Sequence, residues 1–320
     1  MVLVSINCIT YNHEKYIADA IEGFLMQKTN FKYEILIHDD ASTDRTAHII
    51  KEYERKYPDI IKPIYQKENQ YSKGISVGQF NISRAKGKYI ADCEGDDFWV
   101  EPYKLQKQID YMLSHPNCTM CFHNANITNE KRKTTNKLLI DKNVTCREFN
   151  AGELAVLGFI PTASRVYLKS AMEVLPEWYF KSVVKDYPSQ LIIASRGYAY
   201  YINEVMSSYR TGHSGSATAR FYNKKTNEKI IYINGFIDIL NNFNKYTHCK
   251  YFEEVEEAII NREVEIILLR RKIEKINDYR YSKYCDELKR WGKIKLYSRY
   301  YFPKLYMYLA CAKEKIMNMK

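Results

Sequence analysis

Three groups of polar side chains in the first hundred residues have the types and spacing to handle a charged ligand: Thr10-Tyr11-Asn12, Asp39-Asp40 and Glu94-Gly95-Asp96-Asp97. Each follows a short apolar run, Val2 to Ile9, Tyr33 to His38 and Lys88 to Asp92. In an open sheet of βα units, ligands bind at the carboxyl ends of the strands, so the three groups are expected to meet. Carboxylates gathered there repel one another unless something positive lies between them. A hard divalent cation fits: it takes oxygen ligands, and Mg²⁺ in particular is shared between one or two carboxylates and substrate phosphates. Asp40, Asp96 and Asp97 are therefore read as ligand-binding carboxylates, with Asp39 beside them, whereas Asp44 is read as a turn or cap residue. Cys118-x-x-Cys121 with His123 has metal-like spacing, but it lacks a second pair and sits in the apolar run CTMCFHNANI. A buried strand explains it better than zinc.

The elements that must position these groups follow from periodicity. After Asn12, Ile17, Ala20, Ile21, Phe24 and Leu25 share one helical face. A second helix, capped by Ser42 or Thr43, places Ile49, Ile50, Tyr53 and Tyr57 inward and ends at Pro58. Ile60 to Tyr65 reads as a strand and Val77 to Lys86 as a helix, with Gly87 as its stop. Pro102 opens a further helix that ends before Pro116, and Cys118 to Ile127 makes a strand. The segment Thr128 to Asn143 is polar, lysine-rich and aperiodic, which predicts a mobile surface loop. From Gly152 to Tyr209 the elements are shorter and punctuated by proline. Beyond about Arg220 the chain reads as helical, with a stripe from Phe252 through Val255, Ile259, Ile260, Val264, Ile267 and Leu268. Alternating strands and helices predict an α/β class with helices packed on a sheet.

Charge is concentrated at one end. Of a net +11, residues 279–320 carry +8, from eleven Lys and Arg against three Asp and Glu. The same segment holds Tyr279, Tyr281, Tyr284, Trp291, Tyr297, Tyr300, Tyr301, Phe302, Tyr306 and Tyr308. Basic and aromatic residues together suit an anionic membrane surface. The alternative is a helical cap packed on the rest of the chain or on a second copy, as in a homodimer; nucleic acid ranks last, because no recognised binding module accompanies the segment. The eight scattered cysteines suit a reducing compartment. With no basic leader at its start and no apolar run of spanning length, the chain is expected to be cytoplasmic, peripheral on the inner membrane face.

The segments VSINCITYNHEKYIADAIEGFLMQ, ILIHDDASTDRTAHIIKEY and AKGKYIADCEGDDFW, in this order, resemble the family 2 glycosyltransferases of the GT-A fold, and the similarity runs through about residue 215. The resemblance implies a Rossmann-like nucleotide-binding domain with a mixed central sheet over residues 1–219 and a helical extension over 220–320. It implies transfer of a sugar from a nucleotide-diphosphate donor, commonly a UDP-sugar, to a saccharide or lipid-linked acceptor with inversion, in bacterial surface polysaccharide assembly and with Mg²⁺ or Mn²⁺ as cofactor. Thr10 and Tyr11 then line the nucleobase pocket with Asn12 and Asp39 nearby, and Asp40 accepts from the base. Glu94 faces the ribose, and Asp96 and Asp97 hold the metal and the diphosphate. Asp186, in Val184-Lys185-Asp186-Tyr187-Pro188, matches the general base, the alternative being a helix N-cap. His213, in the closing segment Tyr209 to Gly215, matches a residue that reaches the diphosphate or metal. Ser164-Arg165 falls where relatives contribute to the acceptor side. Arg84 and Lys73 are basic enough for the diphosphate but are equally read as solvated residues. Two positions depart from the family pattern: Glu94 replaces Asp, and Ala41 replaces Gly. A sugar nucleotidyltransferase and a sugar-nucleotide-binding protein without turnover are the rival readings; the first should open with a glycine-rich phosphate loop, which CITYNHEKY lacks.

Overall fold

The computed structural model describes residues 1–212, 220–221, 223–287 and 290–302. The chain divides into two compact units, Met1–His213 and Ser214–Lys320.

The first unit is built on one mixed sheet. Its strands are β1 (Val2–Thr10), β2 (Lys32–Asp39), β3 (Ile61–Tyr65), β4 (Tyr89–Asp92), β5 (Phe98–Trp99), β6 (Cys118–Thr128), β7 (Thr134–Leu138), β8 (Arg147–Phe149), β9 (Val166–Leu168) and β10 (Tyr198–Arg210). The sheet runs β3-β2-β1-β4-β9-β6-β10-β5, with β7 added to β6 and β8 to β10. β3, β2, β1 and β4 are mutually parallel, while β9 is antiparallel to both β4 and β6. Parallel strands are covered on both faces and so read as near-continuous apolar runs; Val4, Ile6, Cys8, Ile35, Ile37, Ile90 and Ala91 are all fully buried.

The flanking helices are α1 (Ile17–Leu25), α2 (Thr46–Lys56), α3 (Gly78–Arg84), α4 (Lys104–Ser114), α5 (Ala151–Leu157), α6 (Glu177–Lys181) and α7 (Asp186–Ser195). Ile17, Ile21 and Phe24 of α1 enter the same core as Leu105, Ile109 and Met112 of α4. Each fully buried side chain of this size contributes about 1.5–3 kcal/mol, so a polar substitution at Phe24 would uncouple α1 from the sheet. The expected strands and helices before residue 128 are present within a few residues of their predicted ends. Cys118, Cys121 and His123 lie buried within β6, as the strand reading requires.

One expectation is overturned. The segment 128–143 contains β7, paired antiparallel to β6, and buries Ile140 just beyond it. The side chain of Asn124 holds that residue from both sides, donating to its carbonyl at 2.8 Å and accepting from its amide at 3.0 Å. β7 shows no apolar alternation because it is an add-on strand that buries little of either face. Its stability comes from backbone pairing and from Asn124, and hydrophobic periodicity detects neither.

The second unit comprises α8 (Thr226–Tyr246), α9 (Phe252–Leu269), α10 (Ser282–Glu287) and α11 (Arg290–Tyr301). Ile230 and Ile233 of α8 bury against Ile266 of α9, and Val264 and Ile267 bury with Ile276 and Leu296. Most of the predicted stripe faces inward, but Phe252, at the first residue of α9, is exposed. Tyr279, Tyr301 and Phe302 are exposed as well. No helix among the described residues is long and apolar enough to cross a membrane.

Candidate active site

The parallel register sets the site's floor. Thr10, the last residue of β1, lies opposite Asp39, the last of β2, and Asn7 lies opposite Asp92, the last of β4. The acidic turn after β4 folds back over β1 because residue 95 is glycine. A Cβ there would meet Thr10 Oγ1 at 2.6 Å, well inside van der Waals contact, so any side chain at 95 would lift Glu94 and Asp96 off the strand end. Thr10 Oγ1 is buried and has no hydrogen-bond partner among the described residues. Tyr11, next to it, is 42% exposed, as a ring available for stacking must be.

Asn12 and Asp39 act on the turn between β2 and α2. Asn12, at φ 56°, accepts from the Thr43 amide at 2.8 Å, and its own amide donates to Ser42 Oγ at 2.9 Å. Asp39 accepts from Ser42 Oγ at 2.5 Å, and burial pushes its carboxyl above the usual range. Ala41 sits at φ 61°, the left-handed region that favours glycine, which explains why the family pattern has glycine there. Asp44 caps the turn into α2, accepting from the Thr46 amide and from the Glu14 amide. Asp40 is more committed than a free base-reading carboxylate: its two oxygens accept from the Gln70 and Tyr71 amides at 2.8 and 2.9 Å, and His38 Nε2 lies at 3.5 Å. It anchors the segment 69–71.

The paired aspartates divide. Asp97 is buried, and its carboxylate accepts from the backbone amide of Arg210 at 2.8 Å; burial and then the neighbouring Asp96 hold its pKa well above normal. It fastens the acidic turn to β10. Asp96 is the partly open member, with a 14% exposed side chain and His13 Nε2 at 3.9 Å. Glu94 is pushed up to about 8, first by burial, then by Asp96 and by Asp186, with Arg165 opposing. Glu94 therefore feels one carboxylate of its own turn, Asp96, and one from a distant part of the chain, Asp186. Asp186 begins α7, one position after the N-cap; its Oδ1 accepts from the adjacent Tyr187 amide, and its backbone carbonyl accepts from Arg165.

Arg165 corrects a second expectation. It and Ser164 are buried rather than presented to an acceptor. Arg165 pairs with Asp92 at 2.8 Å, and Asp92 also accepts from Asn7 and Tyr167. The polar line continues from Asn7 to Asn81 and on to Arg84, which also donates to the Lys62 carbonyl. Arg84 is thus structural, and Lys73 is taken by Glu68. His213 lies outside the described residues.

A second buried arginine, not singled out in the sequence, also meets the acidic turn. Arg210 is 1% exposed; it donates to the Asp96 carbonyl at 2.8 Å, to the Glu130 carbonyl at 3.1 Å and to Asp19 at 2.8 Å. Both arginines had a signal. A charged residue in a buried strand, such as Asp92 in YIAD, demands an opposite charge; the partner's position in the chain was the missing piece.

Among the described residues, no group of three or more His, Cys, Asp or Glu is placed to hold a metal ion unaided. Asp96 and Glu94 offer hard oxygens on the same short turn. That donor set suits a divalent cation whose remaining ligands come from a bound phosphate.

The model of Glycosyl transferase family 2 matches residues 5–175, more than half of the chain. The uncharacterized protein Rv1520 of Mycobacterium tuberculosis is 38% identical over 184 residues, covering 55% of this chain and 52% of its own. This chain thus spans about half the length of its mycobacterial relatives. An Escherichia coli protein, UDP-Glc:alpha-D-GlcNAc-diphosphoundecaprenol beta-1,3-glucosyltransferase WfaP, is 29% identical over 221 residues, 68% of this chain and 81% of the relative. Among solved structures, S. aureus TarS 1-349 in complex with UDP-GlcNAc aligns with a TM-score of 0.59 at 15% identity, covering 92% of this chain and 78% of that one. Mannosyltransferase PcManGT from Pyrobaculum calidifontis, in complex with GDP-Man and Mn²⁺, aligns at 0.52 with 12% identity, covering 94% and 87%. These likenesses show the GT-A fold.

Proposed function

We propose that this chain, which belongs to glycosyl transferase family 2, moves a sugar from a nucleoside diphosphate onto an acceptor hydroxyl with inversion. The observation that carries the reading is the acidic turn after β4 folded over the end of β1 at Gly95, with Glu94 near enough to Asp96 and Asp186 to be raised by both. Two of these carboxylates face a diphosphate and one faces an acceptor. Thr10 and Tyr11 receive the base, with Asp39 and Asp40 shaping that end of the pocket. The chemistry of the relatives' printed ligands, UDP-GlcNAc, GDP-Man and Mn²⁺, supports a nucleotide-sugar donor and a divalent cation, Mg²⁺ or Mn²⁺, at Asp96 with Glu94 beside it. When bound, that ion neutralises charge developing on the leaving diphosphate.

The chain's own residues perform the rest. Asp186 accepts the proton of the acceptor hydroxyl as its oxygen bonds to the anomeric carbon; the bond to the diphosphate oxygen breaks on the opposite side, and the electron pair leaves with the diphosphate. Arg165 holds the backbone of Asp186, and Arg210 holds the backbone of Asp96. UDP is the proposed nucleotide and a saccharide, free or lipid-linked, the proposed acceptor, in line with WfaP and its diphosphoundecaprenol substrate. Surface polysaccharide assembly is the proposed setting. We assign catalysis to residues 1–219 and propose that the basic aromatic segment 279–320 meets an anionic membrane face. Measuring diphosphate release across a panel of sugar nucleotides, with and without saccharide acceptors, tests the reading. Acceptor-stimulated release from one donor is expected; tight nucleotide binding with no release would favour a binding protein without turnover.

A further inference from the structure

The turn between β6 and β7 carries three consecutive cations, Lys131, Arg132 and Lys133, with Glu130 before them. Asn129 shapes it, its side chain accepting from the amides of Lys131 and Lys133 and its carbonyl from the amide of Arg132. Arg132 is left at φ 60°, a conformation that costs a side-chain-bearing residue free energy. That geometry sets the guanidinium 4.9 Å over the Phe98 ring and 3.1 Å from Asp19 Oδ1. The other oxygen of Asp19 already takes the buried Arg210, which also grips the carbonyl of Asp96. One carboxylate is therefore shared by two guanidiniums, and Asp19 is neutralised without Arg132. The outer pair leaves the Arg132 side chain 57% exposed, and pairs this open are worth little on their own.

A strained backbone that presents a surplus, half-exposed arginine at the rim of an acidic site, flanked by two further cations, is poor economy for folding alone. It is well suited to a ligand, since a planar guanidinium binds phosphate oxygens in bidentate fashion. We infer that the β6–β7 turn is a phosphate-binding element. Arg132, flanked by Lys131 and Lys133, takes a phosphate of a substrate at the mouth of the site, next to the Asp19–Arg210 pair that steadies the acidic turn. The ligand class rests on the proposed function. That phosphate belongs either to the donor's diphosphate or to a phosphate that joins an acceptor saccharide to its carrier.

The test is calorimetric titration of butyl diphosphate into the full chain without metal, with the site empty and again with saturating UDP. Arg132→Gln is expected to weaken binding about tenfold or more. Arg132→Gly should weaken it equally while the thermal midpoint holds or rises, because glycine adopts this φ without strain; a purely structural arginine would lower the midpoint. Lys142→Gln, which removes an exposed cation from the next turn, is expected to stay within about twofold. Undiminished binding under UDP assigns the phosphate to the acceptor, and competition by UDP assigns it to the donor. Equal affinity in wild type and Arg132→Gln, or an equal loss in Lys142→Gln, overturns the inference. Because the readout is binding, a chain that takes the probe through Arg132 yet transfers no sugar would contradict the proposed function and leave this inference standing.

Discussion

The two halves of the sheet differ in the charge they bring to the candidate site. The β1–β4 half and its turns supply anions: Asp39, Asp40, Asp92, Glu94 and Asp96 all follow or end a strand within the first hundred residues. The later half supplies the cations that steady them, Arg165 beside β9 and Arg210 at the end of β10, together with one acid, Asp186. Acids placed by a local strand-and-turn pattern are thus held in place by arginines that only the tertiary fold brings near. The site depends on the join between the halves as much as on the motifs.

Breaking that join should have the largest effect on stability. Arg165→Met leaves Asp92 buried with its charge uncompensated, and removing one partner of such a pair costs about 3–5 kcal/mol. Chemical denaturation should show that loss, and the double variant Arg165→Met with Asp92→Leu should recover part of it. Separating the adjacent aspartates sharpens the comparison further. Asp96→Asn should reduce transfer about a hundredfold with little change in the thermal midpoint. Asp97→Asn can still accept the Arg210 amide through its side-chain carbonyl, so transfer should fall less than tenfold, with the cost seen mainly as about 1–2 kcal/mol of stability. The reverse pattern would mean that Asp97, and not Asp96, faces the ligand.

A smaller effect concerns pH. Lys104 is wholly buried at the first turn of α4, 4.1 Å from the Trp99 ring and donating to Gln108. Burial lowers its pKa to about 7. Between that value and the unfolded pKa, the unfolded chain binds a proton that the folded chain does not, so stability rises with pH over roughly 7 to 10, by at most about 1.4 kcal/mol per pH unit. Below about 7 the full penalty of burying the charge applies. Lys104→Met should raise the midpoint near pH 7 and flatten the slope above it, and an unchanged slope in that variant would place the titration elsewhere.

Much of the fold was legible because the parallel half reads as apolar runs with turn chemistry at their ends. The α1 stripe and the Asp44 cap are local and followed directly, whereas Gly87 proved to be needed for its close approach to Ser5, the helix before it ending at Arg84 on Ala85. What escaped notice was set at a distance. Asp96 and Asp97 are indistinguishable in sequence, and only the amide of Arg210 turns one of them inward. Arg165 looked available to an acceptor because Asp92, its partner, lies 73 residues away. β7 carried no apolar alternation, since its hold on the core is the side chain of Asn124.

In the proposed reaction Asp186 is the base that takes the proton of the acceptor hydroxyl. Asp186→Asn keeps the side chain's shape and its contact with the Tyr187 amide but cannot take the acceptor's proton. Nucleotide-sugar affinity by calorimetry should stay within about twofold of wild type, while single-turnover transfer to the acceptor falls about a hundredfold or more. Transfer that persists within a few-fold at unchanged affinity would contradict the claim and leave Asp186 as no more than the first residue of α7.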